Sequence, residues 1–268
     1  PHESRRMLTV FDAVDGFPDL VAPLEDPGSE GIATVLTSCL QPDEQNRRVI
    51  AGVIAAAHDL VQGHDPASMQ EDAPQLARTA VELDRAYPGD PSILAALLMN
   101  RVHLRPGESL FLGAGTMHAY LHGTGIEIMA SSDNVLRGGL TSKHIDVPAL
   151  LAHADLTATC VQPECPRQLP GGLQHYRTPF PEFTLWRLGE RVETDLPATG
   201  LGRILLVLDG RMSLTTAGVT SNDTGAEVTQ VRAGQAVWIS AGQQVHVTGS
   251  AVGFLAAPGV GQEFPDEL

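Results

Sequence analysis

The apolar positions of this chain change period near Arg101. Residues 5–100 read as helical. Ala73–Tyr87 places Leu76, Ala80, Leu83 and Tyr87 at three- and four-residue steps, one face of a helix. Arg47–Val61 is alanine-rich, with Asp43 and Glu44 ahead of it and Gly63 just past its end. Acid at the start and glycine at the stop suit the helix dipole and the C-cap. Pro88-Gly89-Asp90-Pro91 stops the second helix, and Ser92 is expected to cap a short apolar run, Ile93–Met99.

Beyond Arg101 the chain breaks into short β-type runs separated by Gly and Pro. They include Val102–Leu104, Ser109–Leu112, Phe183–Leu188, Ile204–Leu208, Arg211–Thr216, Ala236–Ser240 and Gln244–Thr248. Short strands with close turns predict a sandwich or barrel. A weak internal repeat runs through them. Leu104-Arg105-Pro106-Gly107-Glu108-Ser109 is matched by Val231-Arg232-Ala233-Gly234-Gln235-Ala236. In both copies an apolar strand, an Ala-Gly turn and a second strand follow. The unit resembles the β-turn-β element of a cupin jelly roll, present twice. His118 of the first copy becomes Val245 in the second, with His246 one position off. A one-residue shift in a strand faces the opposite side, so only the first copy is expected to direct a His into a barrel.

Composition narrows the classes. The 268 residues are 43% hydrophobic, enough for a core and for two domains. No apolar run reaches membrane-spanning length, and no apolar segment of a signal peptide follows Arg5-Arg6; a cytoplasmic protein is expected. Seventeen basic against 32 acidic residues leave a net charge of −15. Such a surface argues against nucleic acid or an anionic membrane as partner. It leaves room for a small anionic substrate, since a few local cations bind a phosphate. Three cysteines form no disulfide framework. A Cys160–Cys165 bridge is sterically open, but reduced thiols are the expected state.

Chemistry concentrates in two places. His118 follows Ala114-Gly115-Thr116-Met117 and is a candidate metal ligand; the plain alternative is a hydrogen-bonded structural His. Glu127–Lys143 then holds Glu127, Asp133, Asn134, Arg137 and Lys143. Arg binds phosphate bidentately and Lys adds a point charge. The carboxylates can move protons or hold sugar hydroxyls. Gly138-Gly139 lets the backbone come close to a ligand. The plain alternative is a solvated polar loop.

Leu104–Leu151 resembles the signature region of type I phosphomannose isomerases, with no gap. The residues that carry it are Pro106-Gly107-Glu108, His118-Ala119-Tyr120-Leu121, Glu127, Ser132-Asp133-Asn134-Val135-Leu136-Arg137, Gly139-Leu140-Thr141, Lys143 and Asp146-Val147. Met117 stands where the family has proline, and Gly138 where it has alanine. The resemblance implies a mainly β fold with a helical domain: two cupin-like jelly-roll domains, the first incomplete, plus an α-helical insert. The implied domains are 1–17 (a remnant of the first cupin), 18–100 (helical), 101–155 (first cupin, with the signature) and 156–268 (second, degenerate cupin).

The implied activity is zinc-dependent interconversion of mannose 6-phosphate and fructose 6-phosphate through a cis-enediol. The site it implies has His118 and Glu3 on zinc, Arg137, Asp133 and Glu127 in catalysis, and Lys143 and Tyr120 on the substrate. Glu3 is placed by its spacing to Leu8-Thr9-x-Phe11-Asp12-Ala13, which resembles the segment after the family's His-Lys-Pro-Glu motif. Pro1 and His2 then stand at that motif's Lys and Pro, and the family's Gln-x-His-Pro motif is not in this chain. Two expectations follow: a piece of a longer enzyme, or a short chain that has lost its metal site. The first is preferred because Glu127, Asp133, Arg137 and Lys143 all remain. The expected state is a monomer with a small sugar phosphate as its partner. The competing class is a catalytically dead cupin that binds sugar phosphate or serves structurally. A metal dioxygenase is a distant third, because no His-x-His motif is present.

Overall fold

The computed structural model describes residues 8–26, 28–63, 72–132, 135–157, 161–216 and 226–259. The chain forms two compact units, each built from discontinuous segments. One is Pro1–Val102, Leu112–Thr124 and Asn134–Gln162; the other is His103–Phe111, Gly125–Asp133 and Pro163–Leu268. The architecture is mixed helix and antiparallel sheet rather than mainly β.

The first unit is helical: α1 (Phe17–Val21), α2 (Ser29–Leu40), α3 (Glu44–Gly63), α4 (Asp72–Ala86), α5 (Ser92–Leu97) and α6 (Val147–His153). Asp43 caps α3 by accepting from Asn46 N–H at 2.7 Å. Val49, Ile50, Val53, Ile54 and Ala57 form its buried stripe. That stripe packs on α4, and His58 meets Asp84 across the pair at 2.8 Å. The Gly89 N–H bond to Asp84, followed by His58, holds this carboxyl below the usual carboxylate range. Both helices read from the sequence are present, each within a few residues of its expected ends. α5 is buried almost all round through Ile93, Leu94, Ala95 and Leu97. Its first residue, Ser92, does not cap it: Asp90 Oδ1 accepts the Ser92 N–H at 2.9 Å, and the Ser92 hydroxyl is used elsewhere.

Among the described residues the second unit is built on one eight-stranded antiparallel sheet. Its strands are β1 (Arg167–Gln168), β2 (Leu173–Tyr176), β3 (Thr184–Leu188), β4 (Val192–Asp195), β5 (Arg203–Thr216), β6 (Glu227–Arg232), β7 (Ala236–Ile239) and β8 (Val245–Ala257). The order is β1-β2-β3-β8-β5-β6, with β4 on β8 and β7 on β5. The expected strands Ile204–Leu208 and Arg211–Thr216 are one continuous strand. Its inward residues change parity, from Leu205 and Val207 to Met212 and Leu214. A register shift between Val207 and Asp209 absorbs the change. Gly210 follows it at φ +76°, where a Cβ would lie 2.2 Å from Ser250 O. Trp186, Leu188, Leu205, Val247 and Leu255 fill the interior.

The expected strands Val102–Leu104 and Ser109–Leu112 form no ladder among the described residues. The isolated bridge Ser109–Glu164 is their one pairing there. A strand needs a neighbour about 4.8 Å away along its length, and these extended segments do not have one. The repeat is nevertheless real at its turns. Gly107 and Gly234 have φ +91° and +79°, and Gly115 and Gly242 have +81° and +71°. Arg105 N–H donates to Glu108 Oε2 at 2.7 Å, and Arg232 N–H donates to Gln235 Oε1 at 2.9 Å.

Candidate functional site

His118 sits just after the Gly113–Thr116 turn. Asp155 N–H donates to Gly115 O at 2.9 Å, and a Cβ at Gly115 would lie 2.6 Å from His153 O. Those contacts seat the turn on the end of α6. His118 Nδ1 lies 3.0 Å from Thr116 O. A carbonyl only accepts, so Nδ1 carries the proton and Nε2 is the nitrogen left free to face a ligand. This is the arrangement that ligation through Nε2 requires, held by the bond of the other ring nitrogen. Tyr120 stands edge-on to the ring, with centroids 6.1 Å apart, and both side chains are exposed.

Arg137 is exposed at the start of a tightly held loop. Gly138 lies against Met117: a Cβ there would be 2.6 Å from the Met117 Cε methyl. One contact therefore joins the segment bearing His118 to the segment bearing Arg137. Gly139 has φ +120°, and a Cβ on it would be 2.4 Å from Ser92 Cβ. Leu140 follows at φ +49°, the one non-glycine residue with positive φ among the described residues. Its N–H donates to Ser92 Oγ at 2.8 Å, and the Ser92 hydroxyl donates to Asp90 Oδ1. The two glycines do bring the backbone close to something, as the sequence suggested, but to Met117 and Ser92 rather than to a ligand. Lys143 N–H then donates to Thr141 Oγ1 at 3.1 Å, leaving the Lys143 side chain exposed.

The helical unit thus carries His118, Tyr120, Arg137 and Lys143. Glu127 belongs to the sheet unit, where it is exposed and lies outside any helix or strand. Glu3 and Asp133 lie outside the described residues, as do Asn134 and Cys160. Among the described residues no three His, Cys, Asp or Glu side chains cluster to hold a metal ion. His118 fits zinc as one donor, but the described residues do not complete a site. Asp90 was legible only as part of a helix stop and Ser92 only as a helix start, because their partner Leu140 is far away in sequence. A cleft of about 480 Å³ in the sheet unit, beside Gly171, Arg191, Glu193 and Thr248, contains none of the candidate residues.

In the second copy of the repeat, Val245 points into the sheet's interior and is 2% exposed. His246 faces the other way, its Nδ1 2.8 Å from Asp195 Oδ1. The parity expected from sequence holds for this copy, whereas His118 of the first copy is exposed and lies in no strand.

No protein-family model matches the chain. Curated relatives do match. Mannose-6-phosphate isomerase 1 of Arabidopsis thaliana is 32% identical over 209 residues, 74% of this chain and 44% of the relative. Mannose-6-phosphate isomerase of Bos taurus is 30% identical over 226 residues, 81% of this chain and 52% of the relative. The apo form of mannose 6-phosphate isomerase from Salmonella typhimurium superposes with a TM-score of 0.72 at 25% identity. That match covers 94% of this chain and 61% of the solved one. The chain belongs to the type I phosphomannose isomerases. It spans about half the length of the curated phosphomannose isomerases it matches. The family resemblance expected from Leu104–Leu151 is therefore borne out.

Proposed function

We propose that the protein is a zinc-dependent aldose–ketose isomerase that interconverts mannose 6-phosphate and fructose 6-phosphate through a cis-enediol. The observation that carries this reading is the anchored pair of segments bearing His118 and Arg137, in a chain related to mannose-6-phosphate isomerases. The reaction moves a proton between C1 and C2 of the sugar. Glu127 and Asp133 are the carboxylates proposed to take and return it. Arg137, with five donors and a permanent charge, stabilises the enediolate oxygen or holds the substrate. Lys143 is proposed to contact the phosphate and Tyr120 to line the sugar. His118 and Glu3 are the proposed zinc ligands, and zinc would supply a Lewis acid to the sugar oxygens.

The sheet unit is read as a degenerate cupin jelly roll, 101–155 as the first cupin, and 18–100 as the helical domain. A monomer in the cytoplasm is part of the same proposal; among the described residues no helix is long and apolar enough to cross a membrane. The second reading, a catalytically dead homologue that binds sugar phosphate, is favoured by the absence of a three-ligand cluster among the described residues.

The test is zinc content and isomerase turnover of the purified protein. The expected result is about one zinc per chain, with turnover that stops on chelation and returns with zinc. Arg137→Ala should lower kcat by about a hundredfold or more with little change in fold. A metal-free protein without turnover that still binds mannose 6-phosphate would establish the second reading.

A further inference from the structure

We infer that Asp90 and Ser92, at the start of α5, are positioning residues for the Arg137 loop. This rests on the proposed role of Arg137. Ser92 is buried, at 3% exposure, in a unit whose other buried side chains are almost all apolar. It opens a helix yet contributes nothing to the helix cap. Its hydroxyl instead accepts the Leu140 N–H at 2.8 Å. Asp90 Oδ1 accepts both the Ser92 hydroxyl and, at 2.9 Å, the Ser92 N–H. A hydroxyl has one proton to donate, and Asp90 takes it, so a lone pair is fixed toward Leu140.

The need for this arrangement lies in the loop backbone. Leu140 holds φ +49°, where a Cβ crowds the neighbouring carbonyl. A leucine stays there only when its surroundings over-determine it, and such strain collects at functional sites. Gly139 adds a steric floor, since φ +120° and a hypothetical Cβ only 2.4 Å from Ser92 Cβ leave room for glycine alone. Leu140 is three residues past Arg137 and three before Lys143. The strained turn therefore sets where both proposed substrate-binding cations emerge. A misplacement of about 1 Å in such groups costs on the order of a hundredfold in rate.

The test compares wild type, Ser92→Ala, Leu140→Gly and the double variant by steady-state kinetics and by hydrogen exchange at the amide of residue 140. Ser92→Ala should lower kcat/KM by about ten- to a hundredfold and speed exchange at that amide. Leu140→Gly alone should stay near wild type, because glycine reaches φ +49° without strain. The double variant should regain most of the loss, which a simple helix-start or packing role would not predict. Asp90→Asn, which keeps an acceptor oxygen, should resemble wild type, and Asp90→Ala should resemble Ser92→Ala. The inference is overturned if Ser92→Ala keeps kcat/KM within about twofold, or if the double variant is no better than Ser92→Ala. A wild type without turnover sinks the isomerase reading instead. The anchor is then judged by exchange alone: protection lost in Ser92→Ala and regained in the double variant upholds it, and an unprotected wild-type amide overturns it.

Discussion

Met117 and Gly138 both depart from the family pattern, and the structure sets them against each other. The longer side chain at 117 occupies the space a methyl would need at 138. Gly138→Ala should therefore cost about 1 kcal/mol, the low end of overpacking, because the atom in the way is the end of a flexible chain. Adding Met117→Ala should recover part of that cost, a non-additive outcome expected only of residues in contact. Urea midpoints of the two single variants and the double variant decide it; strict additivity would separate the two positions. His175 offers a second single-residue test. It stacks on Trp186 at 5.3 Å and approaches Thr184 Oγ1 at 3.0 Å. Burial, with Arg177 and Arg167 nearby, pulls its pKa below the ordinary 6.5. As pH falls below 6.5 the unfolded chain protonates this ring before the folded chain does. The stability it contributes is thus complete above 6.5 and is lost as pH falls through the folded value. His175→Gln should flatten the acid side of the sheet unit's stability profile, measured as urea midpoints at about pH 7.5 and about pH 5.5; an unchanged slope would rule this residue out as a source of acid sensitivity.

At the scale of elements, the two copies of the β-turn-β repeat share their turns and differ in what surrounds them. The second copy lies within a ladder, with β7 on β5 and β8 running between β3 and β5. Its inward positions are packed with Val245, Val247 and Ile239. Val245→His would rebuild the chemistry of the first copy at the matching place. There it would bury an imidazole among apolar side chains with no partner, at a cost of about 1–3 kcal/mol from protein data. The variant should lower the sheet unit's melting temperature and recruit no zinc; stoichiometric zinc binding by it would show that the second copy retains a metal cage. The strand β5 was legible in content but not in continuity. The sequence shows two apolar phases, and only the pairing with β8 shows that a bulge joins them.

Among the described residues of the whole molecule there are two cores, one around Phe11, Ile50, Val53 and Ile93 in the helical unit and one around Trp186, Leu205 and Val247 in the sheet unit. Both tryptophans of the chain, Trp186 and Trp238, belong to the sheet unit, while the long helices belong to the other. Tryptophan fluorescence should therefore follow the sheet unit and far-ultraviolet circular dichroism chiefly the helices. Thermal unfolding is expected in two transitions with different midpoints by the two probes. Coincident midpoints would mean that the cores unfold as one cooperative unit. Burial also pushes the Cys39 thiol up to about 12, so it stays protonated within the helical core.

By itself the sequence determined the family, the two long helices, four of the eight described strands (β3, β5, β7 and the start of β8), the repeat, and the inward and outward faces of Val245 and His246. Each of these follows from local periodicity, turn glycines or an ungapped motif, all written in neighbouring residues. Only the tertiary structure decided how the candidate site is held. Ser92 looks like a helix cap until Leu140 arrives from a distant segment to take its hydroxyl. Gly138 looks like clearance for a ligand until Met117 fills that space. Segments 102–104 and 109–112 look like strands, but a strand requires a partner, and pairing is a property of the fold rather than of the run. Hydrogen bonds and contacts between distant segments leave no period in the chain, so the anchoring of Arg137 could be read only from where the folded backbone brings its partners.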